Sequence, residues 1–162
     1  MTGMGGTHII CFGNPLHGDD GFGSAVFSAL QKIDLPQTAT ILDGGTSSLS
    51  ALNLFDDCQK AIVVDACHAS DDLGKLEWAG PDGFKERAHQ GKMSSHGLGV
   101  GSILHGLDIL CEEGEAIPEL EILTCRVAMP KTFTMEMSVL VQNAIDEAVV
   151  QIVEKLGVGN DL

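Results

Sequence analysis

Basic residues are scarce in this chain. Nine lysines and arginines stand against 23 aspartates and glutamates, a formal charge of −14 over 162 residues. A field of that sign repels phosphate backbones and anionic headgroups, which excludes nucleic acid and membrane surfaces as expected partners. Four of the nine cations (Lys75, Lys85, Arg87 and Lys92) fall in one stretch, which reads as a solvated loop. Long apolar runs are missing as well: no segment approaches the length needed to span a bilayer. The start, MTGMGGTHIICFGNPL, has neither the basic opening nor the apolar centre of a secretory signal. The expectation is a soluble, cytoplasmic protein. Five cysteines (Cys11, Cys58, Cys67, Cys111 and Cys125) form no C-x-x-C pair, so they read as reduced side chains in apolar surroundings rather than a disulfide framework or a zinc ribbon. H-E-x-x-H, G-x-S-x-G and G-K-[ST] do not occur, and neither do repeats or low-complexity tracts.

What is present is apolar sequence enough for one core, 44% of the residues, and the length predicts a single domain over residues 1–162. Runs rich in Ile and Val alternate with stretches of helical period, the pattern of β-α-β units around a mostly parallel sheet covered on both faces. THIICFG reads as the first strand. After Asp19, the residues Phe22, Ala25, Val26, Ala29, Leu30 and Ile33 fall at helical spacing. TATILDGG is the second strand, SSLSALNLFDDC a short helix opened by serine caps, and KAIVVDAC a buried, central third strand. GKLEWAG alternates apolar and polar residues and reads as an exposed edge strand. The polar stretch from Ala79 to Ser95 reads as a loop or short lid. A helix is expected from Ser95, a strand at LEILTCRVA, and a long closing helix from Met135 stopped by Gly157.

In open α/β sheets, ligands gather outside the carboxyl ends of the strands. Acidic residues stand at three of those ends: Asp19 and Asp20 in CFGNPLHGDDGFG, then Asp43, then Asp65. A phosphate would normally occupy the first turn, but paired carboxylates already supply the negative charge and repel another anion. Gly18, Gly21 and Gly23 also have the wrong spacing for a dinucleotide fingerprint. Capping of the next helix accounts for Asp19, a role worth on the order of 1 kcal/mol. Both neighbours cannot be the cap, and Asp20 would gain only about 0.3 to 1 kcal/mol from the helix dipole, which leaves it partly unexplained by structure. Asp65 ends an apolar run, where a charge is expensive unless paired or bound to metal. His96 is expected in the first turn of its helix, where the dipole keeps imidazole neutral and able to ligate. His68, three residues after Asp65, is a reserve ligand, while His17 and His89 read as solvent-facing. Two carboxylates and an imidazole at one sheet edge make an oxygen/nitrogen site for a divalent transition metal with open positions. A Cys67 nucleophile beside His68 is the weaker chemistry, because neighbours on a strand point apart.

Taken in order, GNPLHGDDGFG, DGGT, IVVDA and SSHGLG resemble the hydrogenase maturation endopeptidases, nickel-dependent proteases that trim the large subunit of [NiFe] hydrogenases. The resemblance implies one three-layer α/β/α domain around a twisted, mostly parallel sheet with one antiparallel strand. It implies Asp20, Asp65 and His96 as the metal-binding and catalytic residues, and Ni2+, presented by the substrate, as the metal. The implied partner is a nickel-loaded large-subunit precursor that loses a short C-terminal extension. Asp43, Gly44, Gly45 and Thr46 are expected to bind substrate, the glycines by letting its backbone approach. Two roles for the metal stay open: it polarises the scissile carbonyl or activates water, or it only positions the substrate while Asp19 or Asp43 acts as base. Two other classes remain as well, a non-hydrolytic nickel-binding scaffold in hydrogenase assembly and a flavodoxin-like or nucleoside-binding module.

Overall fold

Residues 5–46, 49–89, 100–130 and 133–157 are described by the computed structural model. Their order is β1 (Thr7–Phe12), a 3-10 turn (Gly18–Gly21), α1 (Phe22–Leu30), β2 (Ala39–Gly45) and a second 3-10 segment (Leu49–Phe55). Then come β3 (Lys60–His68), β4 (Leu76–Ala79), α2 (Pro81–His89), α3 (Val100–Glu112), β5 (Glu119–Val127) and α4 (Val139–Lys155). Among the described residues no helix is long and apolar enough to cross a membrane.

The five strands form one sheet in the order β2-β1-β3-β5-β4. The pairs β1/β2, β1/β3 and β3/β5 are parallel, and β4 lies antiparallel on β5 at the edge. Successive side chains along a strand go to opposite faces, so a strand covered on both sides must be apolar throughout. In β3, Ile62, Val64 and Ala66 join the core beneath α1 and α4, while Ala61, Val63 and Cys67 join the core beneath α3. In β1, Ile9 and Cys11 divide from Ile10 and Phe12 in the same way. Helix α1 seals the first core with Phe22, Val26 and Leu30, one turn apart, and α4 does so with Val141, Ala144, Ala148 and Ile152. On the other face Val100, Ile103, Leu104 and Leu107 of α3 meet Ala51 and Phe55 of the second 3-10 segment. The result is a three-layer α/β/α sandwich with one antiparallel strand.

Several boundaries differ from the sequence reading. Strand β3 ends at His68, one residue beyond the expected KAIVVDAC, and Asp65 lies within it rather than after it, because β5 continues to pair with it (Asp65 with Thr124, His68 with Val127) after β1 has stopped opposite Val64. The stretch read as a loop after Ala79 contains helix α2. Pro81 occupies its first position, where the missing N–H is harmless, Asp82 complements the helix dipole, and Phe84 is buried against the α3 core. The segment after strand two is a 3-10 helix, and its expected caps, Ser47 and Ser48, lie outside the described residues. Helix α4 begins at Val139, four residues later than expected, behind the extended Ser138.

The chain leaves β1 for β2 on one side and returns to β3 on the other. Connections therefore diverge above the carboxyl ends of β1 and β3, which opens a crevice there.

Candidate functional site

The loop from β1 into α1 is closed tightly on itself. Asn14 N–H donates to Asp20 O at 2.9 Å, His17 N–H to Asn14 O at 3.1 Å, and Asp20 N–H to His17 O at 3.2 Å. Asn14 Oδ1 accepts from Leu16 N–H at 3.1 Å, an Asx turn that sets the path of the chain before the two aspartates. The loop also lies hard against the sheet. A Cβ at Gly23 would sit 1.8 Å from Phe12 O and 3.0 Å from Val64 O, so only glycine allows α1 to start this close to β1 and β3. These contacts carry Asp20 into the crevice.

Asp20 and Asp65 line one cleft of about 150 Å³, together with Phe12, Gly13, Asn14, His17 and Thr46. Asp20 is 1% exposed and Asp65 6%. Asp65 Oδ1 accepts from Ala66 N–H at 2.8 Å. Asp20 Oδ1 accepts from His68 Nε2 at 2.7 Å. Burying carboxylates is costly unless donors or a cation compensate them. Two buried carboxylates lining one cleft are donors of the type that suits a hard or borderline divalent cation. His96, the expected third ligand, lies outside the described residues. Among the described residues no three His, Cys, Asp or Glu side chains form a group that would hold a metal ion by themselves.

The neighbouring Asp19 points elsewhere. Its Oδ1 accepts from Ser138 N–H at 2.6 Å and its Oδ2 from Ser138 Oγ at 2.8 Å. It does not cap its own helix: Gly21 holds the N-cap position of α1, without a side-chain cap. Asp19 instead anchors the N-terminus of α4, a partner 119 positions away that local spacing does not disclose. The same turn is joined to the segment before α4 by Gly18 N–H to Thr134 O at 2.7 Å and Thr134 N–H to Leu16 O at 3.0 Å. His17 is half-buried rather than solvent-facing. It accepts from Asn14 Nδ2 through Nδ1 at 3.3 Å and meets the Phe133 ring edge-on at 5.5 Å.

Asp43 is exposed, and its Oδ1 accepts from Gly45 N–H at 2.8 Å. Gly44 bulges out of the β1/β2 ladder, which pairs Cys11 with Asp43 and then Phe12 with Gly45. A Cβ at Gly44 would fall 2.4 Å from the Phe12 ring, and Gly45 has φ +65°, so neighbouring structure already requires both glycines. Of this turn, Thr46 lines the cleft. Cys67 is buried, and burial pushes its thiol above the ordinary range, opposed by a hydrogen bond with Thr124. The His68 ring beside it is engaged with Asp20, so the pair lacks the features of an activated nucleophile.

The family model for hydrogenase maturation proteases matches residues 25–155. The chain belongs to this family. The matched span takes in Asp65 and begins just beyond Asp20. The hydrogenase expression/formation protein HupD of Bradyrhizobium diazoefficiens is 30% identical over 119 residues, 73% of this chain and 60% of that protein. The match thus extends over about 60% of the length of this relative. Among solved structures, a hydrogenase 2 maturation peptidase from a Thaumarchaeota archaeon superposes with a TM-score of 0.68 at 26% identity, covering 95% of this chain and 99% of that one. The hydrogenase maturating endopeptidase HybD of E. coli shares the fold with a TM-score of 0.73 at 24% identity, covering 94% and 92%. A nucleoside-binding module is set aside accordingly, since buried carboxylates stand where it would hold phosphate.

Proposed function

We propose that the protein is the endopeptidase that removes the C-terminal extension of a nickel-loaded [NiFe]-hydrogenase large-subunit precursor. The observation that carries the reading is the meeting of two buried carboxylates, Asp20 from the first turn and Asp65 from β3, in one cleft of a chain that belongs to the maturation protease family. Asp20, Asp65 and His96 are the residues that would engage nickel, which arrives as part of the substrate. A divalent cation held beside a peptide bond supplies Lewis acidity toward its carbonyl or toward water. A precursor without nickel would lack that anchor, so recognition and verification of the cargo are one contact.

The chain's own residues would do the rest. Thr46 lines the cleft and follows Asp43, Gly44 and Gly45, which supports a path for the extension over this turn. Of the two candidate bases, Asp19 has both oxygens committed to Ser138, whereas Asp43 keeps an exposed carboxylate. Asp43 is accordingly the better candidate for any base outside the ligand set.

The test is incubation with the nickel-loaded precursor, read as a change in precursor mass. Asp20→Ala, Asp65→Ala and His96→Ala should each slow processing on the order of 100-fold or more. Full processing by any two of these variants would sink the assignment. Binding without any change in precursor mass would turn the reading toward a non-hydrolytic scaffold.

A further inference from the structure

His68 touches Asp20 yet stands outside the expected ligand set. Its side chain is 8% exposed, and its Nε2 donates to Asp20 Oδ1 at 2.7 Å across 48 positions of sequence. The imidazole is carried by the last residue of β3, whose ladder continues past it as Ala69 N–H donates to Val127 O at 2.8 Å. The donor thus comes from the sheet and the acceptor from a 3-10 turn.

We infer that His68 is a positioning residue that fixes the carboxylate plane of Asp20 for a divalent cation in the cleft. The cation's identity rests on the proposed function; the contact itself does not. An aspartate carboxylate rotates about χ2 in a broad well, so burial alone does not aim its oxygens. A short charge-assisted bond to one oxygen removes that freedom. Carboxylate ligands are commonly held by such outer donors, and losing one weakens metal affinity about 10- to 100-fold. Strand β3 would then serve both carboxylates: directly through Asp65, and through His68 for Asp20.

The experiment uses the full chain, with nickel(II) alone as probe in calorimetry and the nickel-loaded precursor in steady-state processing. His68→Leu keeps bulk without a donor, and His68→Gln places an amide nitrogen near the position of Nε2. The expected result is a nickel Kd about 10- to 100-fold weaker for His68→Leu, a fall in kcat for processing, and recovery of both to within about threefold in His68→Gln. Should His68→Leu not fold, His68→Asn replaces it with the same expected loss, since its amide overlies Nδ1 and falls short of Asp20. Unchanged nickel affinity in the donor-less variant overturns the inference while leaving the proposed function standing. Equal loss in His68→Leu and His68→Gln also overturns it, because His68 would then be a ligand itself. A wild-type chain that neither binds nickel nor cleaves the precursor overturns both.

Discussion

Asp19 and Asp20 share a turn and have opposite surroundings: one carboxylate reaches out to Ser138, and the other is buried against His68. Replacing Asp19 by Ala should therefore act on stability first. It removes two hydrogen bonds to a charged acceptor, partly exposed, and is expected to cost about 1 to 2 kcal/mol in urea denaturation. Ser138→Ala removes only the hydroxyl bond and should cost less. A reversed order in the two midpoints would show that the anchoring of α4 does not run through this carboxylate. The singling out of Asp20 and Asp65 needed only their positions after apolar strands. The pairing of Asp20 with His68 was illegible for a physical reason: three steps along a strand turn His68 to the face opposite Asp65. Only the continuation of β3 beyond β1, imposed by β5, brings the imidazole to the first turn.

At the scale of elements, the entry of α1 depends on one missing side chain. With a Cβ at Gly23 only 1.8 Å from Phe12 O, Gly23→Ala cannot be absorbed by a rotamer change, since the obstacle is backbone. The first turn of α1 must move off β1, and the loop carrying Asp20 must move with it. The expected cost is about 3 kcal/mol or more, alongside a loss of processing. A variant as stable and active as the parent would mean that this close approach is not required. Strands β1 and β3 were legible because burial on both faces leaves an unbroken apolar signature. Helix α2 was not, because Phe84 is its buried anchor and polar pairs do the rest: Lys85 with Asp108, and Arg87 with Glu77. Pro81 at its first position was the available signal.

Across the whole molecule, a formal charge of −14 is spread over a sandwich whose two cores are filled by aliphatic side chains together with phenylalanines such as Phe12 and Phe22. Like charges held close in the folded state repel, and added salt screens them. Raising sodium chloride from about 10 to 200 mM, which shortens the Debye length from about 30 to about 7 Å, should raise the melting temperature by roughly 3 °C, the effect of about 1 kcal/mol in a chain of this size. A melting temperature that stays flat or falls would mean that attractive pairs such as Arg126 with Asp71 and Glu77 outweigh the excess. The architecture was legible at this scale because alternating strand and helix patterns leave few topologies. Long-range closures such as Thr134 on Leu16 and Gly18 were not, since nothing local encodes them.

Those closures also set a timetable. A nascent chain can pair β1, β2 and β3 before its final third has left the ribosome, but Thr134 and Ser138 are among the later residues to emerge. The turn that carries Asp20 acquires its outer fastening only then, so the crevice matures after the frame that holds it.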